Sequence, residues 1–173
     1  MKLFSCYLHF YVNNITAMQL HPTSYYIVRF NDCDPMGHLN NARYIDYFLN
    51  AREDHLREAY QLTLPEFAKR GVAWVVTNHE IQYVRPVFYN EKVCIASQVI
   101  ETGESFIKVE MLMYDEAMQQ LKAILWTTFT HIHIKTGKRE KHADEFQQFL
   151  AGITVPSIQT AGGLKARLAE LLT

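Results

Sequence analysis

Four strand-like segments follow one another between residues 72 and 134, and only short turns separate them. Strands joined in this way pair antiparallel, and such a sheet commonly buries one face. A single long helical pattern, residues 42–60, precedes them, and it is the element available to cover that face. The sequence therefore predicts an α+β fold in which an antiparallel sheet packs on one long helix.

The helical pattern has a broad apolar face with spacings of three and four residues. We expect that face to consist of Ile45, Phe48, Leu49, Arg52, Leu56 and Ala59. Residues 72–84 predict one long strand with a bend near Thr77, which ends at Arg85-Pro86 because proline cannot donate to a ladder. In the strand over residues 105–114, alternation places Lys108 and Glu110 on the face away from the helix. Short helices are expected over residues 146–150 and 164–172.

The composition is typical of one compact domain, with 49% hydrophobic and 20% charged residues in 173. A net charge of −1 gives no electrostatic basis for binding nucleic acid or a membrane surface. No apolar run of about 18 residues predicts a membrane-spanning helix. Cys6, Cys33 and Cys94 are widely spaced and form no CxxC motif, which favours reduced thiols and a cytoplasmic location.

The residues most suited to chemistry lie between a predicted strand and the long helix, in the polar stretch 31–41. Asp34-Pro35-Met36-Gly37 has the residue preferences of a type I turn. The helix that follows begins with spare N–H donors and about half a positive charge, which can polarise a carbonyl. A carboxylate from Asp34 and an imidazole from His38 would complete a simple hydrolytic site. The competing interpretations are that Asp34 only caps the turn and that His38 is a surface histidine.

The two asparagines at the start of the helix are expected to divide two roles. One caps the helix, and the other holds water or a substrate carbonyl. No metal or cofactor is expected: His131 and His133 share a strand face without an evident third ligand. Asp32-x-Asp34 superficially resembles a calcium loop, but Met36 and Arg43 occupy ligand positions. GxSxG, Walker A and GxGxxG motifs are absent from the sequence.

The pattern Arg29-Phe30-x-Asp32-x-Asp34-x-x-Gly37-His38-x-Asn40-Asn41-x-x-Tyr44 resembles the signature of hotdog-fold acyl thioesterases of the 4-hydroxybenzoyl-CoA thioesterase-like group. The resemblance extends over about residues 23–146. It implies a five-stranded antiparallel sheet wrapped around one long central helix, with sites formed across a homodimer. Homotetramers are common in such families. We accordingly divide the chain into an N-terminal extension (1–20) without expected order, a hotdog domain (21–146) and a C-terminal helical tail (147–173).

The resemblance also implies roles for individual residues. Asp34 is expected to be the catalytic nucleophile or general base, with His38 and Asn41 orienting the water or the thioester. The expected substrate-binding residues are Asn40, Tyr44, Trp74, Thr77 and Arg85, with Lys138 and Arg139 as weaker candidates for the phosphates of CoA. At Asn41 the aromatic-type enzymes carry His or Tyr, which argues against an aromatic acyl group.

The function expected from the sequence is hydrolysis of a fatty or other apolar acyl-CoA, or of the same acyl group on acyl carrier protein. A second hypothesis is a non-catalytic hotdog module that binds acyl-CoA. A hotdog hydratase is less favoured, because hydratases are expected to have one more residue between Asp and His.

Overall fold

The computed structural model of the chain describes residues 19–173, and the predictions for residues 1–18 lie outside this range. No helix within residues 19–173 has both the length and the apolar character needed to cross a membrane. A short 3₁₀ turn spans Phe30–Asp32. The strands are β1 (Thr23–Ile27), β2 (Val72–Tyr83), β3 (Lys92–Thr102), β4 (Phe106–Asp115) and β5 (Leu121–His133), and the helices are α1 (Asn41–Ala59), α2 (Leu64–Lys69), α3 (Asp144–Ile153) and α4 (Gly163–Leu171).

The five strands form one antiparallel sheet in the order β1-β3-β4-β5-β2. This confirms the predicted fold class. The predicted bend in β2 is a register shift between Val76 and Asn78, which twists and bends the strand locally. β2 pairs only with β5 in the described part of the chain. Its other edge, along the twelve residues Val72–Tyr83, pairs with no strand within residues 19–173, so alternate residues direct their N–H and C=O groups outward.

Helix α1 packs on the inner face of the sheet, as predicted, but its buried stripe is rotated. The buried side chains are Tyr44, Tyr47, Phe48, Ala51, Arg52 and His55. Ile45, Leu49 and Leu56 are only partly buried. Leu56 still packs at the edge of the core. The predicted stripe omitted Tyr44, Tyr47 and His55, because tyrosine and histidine carry apolar rings that can pack in a core despite their polar atoms.

The outer face of the sheet is also buried, contrary to the expectation of one buried face. Ile100, Ile124 and Trp126 belong to a second apolar cluster that α4 covers with Leu164. Glu110, on this face, is fully buried and paired with Arg167 of α4 through a 3.0 Å contact. The C-terminal tail is therefore packed on the sheet. The proposed domain boundary at residue 146 falls within α3.

Helix α3 closes the end of the sheet where β2 begins, together with a cluster of aromatic and imidazole rings. The Trp74 indole N–H donates to Nε2 of His142 over 3.1 Å, and Phe146 packs against both rings. His142 Nδ1 lies 3.2 Å from the Gly103 carbonyl oxygen. Since Nε2 accepts and Nδ1 faces an acceptor, His142 fits as a neutral imidazole with its proton on Nδ1.

This arrangement predicts a loss of stability in mild acid. Burial and the neighbouring His131 lower the pKa of His142 to about 4, whereas an unfolded histidine titrates near 6.5. The unfolded chain therefore binds a proton that the folded chain resists between pH 6.5 and 4, and stability falls as the pH falls. The loss attributable to His142 is about 2 kcal/mol at pH 5. His55, whose pKa burial also lowers to about 4, contributes similarly.

Urea unfolding at pH 7.5 and pH 5 measures this loss. His142→Gln keeps an acceptor for Trp74 and is expected to remove about half of the pH dependence. His21→Gln, at an exposed histidine, is the matched control and should leave the dependence as in the wild type. An unchanged dependence in His142→Gln would contradict the prediction.

Candidate active site

The side chain of Asp34 is held by its own turn through one oxygen. Oδ1 accepts the backbone N–H groups of Met36 (2.9 Å) and His38 (3.1 Å). Gly37, whose φ is +77°, completes the turn by donating to the Asp34 carbonyl. Oδ2 has no hydrogen-bond partner within residues 19–173, and the residue is only half-buried. Asp34 therefore caps the turn, as the simpler interpretation held, and still presents a free carboxylate oxygen.

Asp32, two residues earlier, has the opposite character. Its Oδ2 accepts the hydroxyl proton of Tyr47 over 2.8 Å, and its Oδ1 lies 3.8 Å from Nε of Arg43. Both partners come from α1, so the carboxylate ties the turn to the helix. Of the two aspartates in this stretch, Asp34 is the one with an oxygen available for chemistry.

The start of α1 shows which asparagine caps the helix. Oδ1 of Asn40 accepts the N–H of Ala42 over 3.0 Å, and the Asn40 carbonyl accepts the N–H of Arg43. Asn40 is thus the N-cap, and capping occupies its side-chain oxygen. Asn40 does not line the groove described below. The N–H of Asn41 has no acceptor in the described part of the chain. It is the spare donor expected from a helix N-terminus.

Asp34, His38, Asn41, Tyr44 and Arg85 line one open groove of about 280 Å³. The groove lies between the polar turn, the start of α1 and the end of β2. Five of the eight residues predicted for catalysis or substrate binding therefore meet at one place. No group of three His, Cys, Asp or Glu residues within residues 19–173 is placed to hold a metal ion.

Tyrosines brace this groove. The Tyr83 hydroxyl donates to the Asn41 carbonyl over 2.9 Å, and its ring packs edge-to-face on Tyr44 with 5.0 Å between centroids. Burial raises the pKa of Tyr44 to about 12, so its hydroxyl stays protonated at neutral pH. Tyr83 was not among the predicted site residues, although Arg85, two positions later, was.

His38 and Arg85 both line the groove. The His38 ring packs edge-to-face on Phe88 with 4.9 Å between centroids, which orients the imidazole. Phe88 is a second contact that the sequence did not reveal. Arg85 donates through Nη1 to the Leu121 carbonyl over 3.1 Å. The remaining N–H donors of its guanidinium can bind an anion in the groove.

Trp74 and Thr77 do not reach this groove in the same chain. Trp74 lies nine residues before Tyr83 on β2, a separation of about 30 Å in an extended strand. Thr77 Oγ1 instead lies 3.0 Å from Thr130 Oγ1. Lys138 and Arg139 follow β5 at the end where Val72 pairs with His133, so they too lie at the far end of the sheet.

Comparison with known proteins assigns the chain to a family. A model described as the thioesterase-like superfamily matches residues 28–151. The chain belongs to this superfamily. The match includes the polar turn, α1, the whole sheet after β1 and most of α3. It ends before α4.

Individual relatives agree with this assignment. The chain is 32% identical over 112 residues to the long-chain acyl-CoA thioesterase FadM of Escherichia coli K12. The aligned region covers 64% of this chain and 83% of the relative. The structure resembles the YbaW probable thioesterase of Escherichia coli with a TM-score of 0.66 and 27% identity, covering 77% and 98% of the two chains. The DHNA-CoA thioesterase of Staphylococcus aureus has the same fold, with a TM-score of 0.71, 19% identity and coverage of 77% and 90%.

Proposed function

We propose that this protein hydrolyses the thioester of a fatty or other apolar acyl-CoA to the free acid and CoA. The observation that carries the proposal is that the groove brings together Asp34, whose Oδ2 has no partner within residues 19–173, and Asn41, whose N–H has no acceptor in the same range. Membership of the thioesterase-like superfamily and the named activity of the FadM relative support the reaction class.

In the proposed mechanism Asp34 acts through Oδ2, either as a general base for water or as the nucleophile. As a base, it takes one proton from the water while the oxygen attacks the thioester carbonyl. The Asn41 N–H and the positive end of α1 stabilise the negative charge on the carbonyl oxygen. The C–S bond then breaks, and the thiolate takes up a proton. A thiol pKa near 8.5 makes the sulfur a good leaving group without a strong acid.

His38 and Asn41 orient the reacting groups in this scheme. The turn delivers His38 four residues after Asp34, and Phe88 limits the rotation of its ring. Arg85 faces the same groove and supplies a cation for the phosphates of CoA. Lys138 and Arg139 could serve this purpose only from a second subunit.

The acyl chain needs an apolar site, and a second cavity supplies one. This cavity has a volume of about 240 Å³ and lies between α1, α3 and the first half of β2, with Trp74 and Phe146 in its wall. The edge of β2 that pairs with no strand in residues 19–173 offers a way to bring the apolar cavity of one chain close to Asp34 of another. If two β2 edges pair antiparallel about a two-fold axis, the early part of one strand lies beside the late part of its partner. We therefore propose a homodimer in which Trp74 and Thr77 act at the partner's groove.

The dimer can be tested on the β2 edge. Val75 is 39% exposed on this strand, and Val75→Lys places a charge where the partner strand would pack. In analytical ultracentrifugation we expect the wild-type protein to sediment as a dimer and this variant to sediment as a monomer. Met118→Lys changes a similarly exposed apolar residue, 45% accessible, in the β4–β5 turn and is the matched control. A wild-type protein that sediments as a monomer would overturn the dimer.

The reaction itself is tested by thiol release, followed with a thiol-reactive dye, across acyl-CoAs from acetyl to palmitoyl and with benzoyl-CoA. We expect a clear optimum among the apolar chains and poor turnover of benzoyl-CoA. The same series on acyl carrier protein tests the alternative carrier. Micromolar binding of a non-hydrolysable acyl-CoA without turnover would replace the enzyme by a binding module.

We also propose a cytoplasmic location and a role in lipid metabolism. Cys33 and Cys94 are free thiols, which agrees with a reducing compartment. An acyl-CoA substrate would be met in the same compartment.

A further inference from the structure

The apolar cavity beside α1 contains a cation that the proposed hydrolysis does not use. Its wall is almost entirely hydrophobic and includes Leu49, Leu56, Phe67 and Phe129. The polar exceptions are Arg52 and Glu53. Glu53 is exposed, whereas Arg52 is only 7% exposed. A guanidinium of this kind is costly to bury unless it is paired.

The contacts of Arg52 do not neutralise its charge. Nη1 lies 3.5 Å from Ser97 Oγ, and the guanidinium carbon stands 5.8 Å from the centre of the Tyr60 ring. None of the ion pairs formed within residues 19–173 includes Arg52. Asp54, two residues later on the helix, is already bonded to the Tyr26 hydroxyl and to Arg57.

The neighbouring imidazole responds to this uncompensated charge. His55 Nδ1 lies 2.7 Å from Ser97 Oγ, on the same hydroxyl that Arg52 approaches. Burial and the positive charge of Arg52 together lower the pKa of His55 to about 4. His55 is therefore neutral at physiological pH and leaves Arg52 as the only positive charge of this buried group.

We propose that the cavity takes an apolar chain that ends in a carboxylate, and that the carboxylate pairs with Arg52. The hydrophobic wall fits the chain, and the guanidinium offers two parallel N–H donors to the carboxylate. The carboxylate can have two sources. It is either that of a free fatty acid or the distal carboxylate of an ω-carboxyacyl-CoA substrate, and the second source rests on the proposed hydrolysis.

Binding tests the proposal without any turnover. Calorimetry compares decanoate with 1-decanol, which has the same chain without the charge. We expect the wild-type protein to bind decanoate at least tenfold more tightly. Arg52→Met should abolish this preference while keeping the affinity for decanol, and Arg52→Lys should retain part of it. Arg57→Met, an exposed arginine outside the cavity, is the matched control.

Equal affinities of the wild-type protein for decanoate and decanol would overturn the proposal even if the Arg52 variants fail to fold. A preference for decanoate that survives in folded Arg52→Met would also overturn it.

Turnover measurements then distinguish the two sources of the carboxylate, a free fatty acid and an ω-carboxyacyl-CoA substrate. If the chain belongs to the substrate, ω-carboxydecanoyl-CoA should have a KM at least tenfold below that of decanoyl-CoA, and Arg52→Met should remove the difference. Equal KM values together with preferential decanoate binding assign the cavity to a free fatty acid. Absence of turnover with both thioesters would contradict the proposed hydrolysis alone, because the binding comparison does not depend on it.

Discussion

Replacing Asp34 with Asn is expected to lower kcat for the best acyl-CoA by about 10²–10⁴-fold, the usual contribution of a general base. The amide keeps an oxygen that can accept the N–H groups of Met36 and His38, which Oδ1 now accepts. The turn should therefore survive, while the group that takes a proton or attacks the carbonyl is lost. KM should change little, because Asp34 acts on the reacting bond and not on the acyl chain. Thiol-release kinetics under saturating substrate measure the effect.

Asp32→Asn is the matched control for this experiment. Its carboxylate lies two residues earlier and is bound to the Tyr47 hydroxyl, away from the reacting groups. We expect kcat to stay within a few-fold of the wild-type value. Near wild-type turnover in Asp34→Asn would remove Asp34 from the mechanism. Equal losses in the two variants would assign the effect to the fold of the turn.

Arg167→Met is expected to lower the free energy of unfolding by about 3–5 kcal/mol, the usual loss when one partner of a buried ion pair is removed. Arg167 donates through Nε and Nη2 to the carboxylate of Glu110 over 3.0 and 3.1 Å. Glu110 is fully buried and also accepts from Gln98 and Trp126. Without Arg167 this carboxyl group stays buried beneath α4 and lacks the guanidinium that pairs with it. Urea unfolding at pH 7.5 measures the loss.

Glu170→Gln tests the same arginine from its exposed side. Glu170 pairs with Nη1 of Arg167 over 3.2 Å, but its side chain is 56% exposed. Exposed pairs contribute about 0–1 kcal/mol, so this variant should unfold nearly as the wild type does. A loss of the same small size in Arg167→Met would show that the buried pair does not hold α4 on the sheet.

Local sequence patterns predicted the sheet, the central helix and the turn around Asp34 because these features depend on neighbouring residues. Alternation along β4 and the spacing of apolar residues along α1 follow directly from backbone geometry. The preferences of Asp34-Pro35-Met36-Gly37 for a tight turn are equally local. The choice between Asn40 and Asn41 as cap needed the structure, since both residues suit the role.

The features that the sequence did not reveal depend on long-range contacts. Glu110 alternates as a residue on the solvent face should, and nothing near it indicates that Arg167 will cover it 57 positions later. The bond from Tyr83 to the Asn41 carbonyl joins residues 42 positions apart. Arg52 interrupts an apolar stripe in the sequence, but only the assembled cavity shows that it is buried without an acidic partner among residues 19–173.

The position of α4 limits how copies of this chain can associate. One broad surface of the sheet is packed by α1 and α4 packs on the opposite one, so a second sheet stacked on that side would have to contact α4. Lateral pairing along β2 remains open, and a two-fold axis there uses up that edge in both copies. An assembly larger than two chains would therefore have to be built through helices or loops, and its contacts should differ chemically from those that join the first pair.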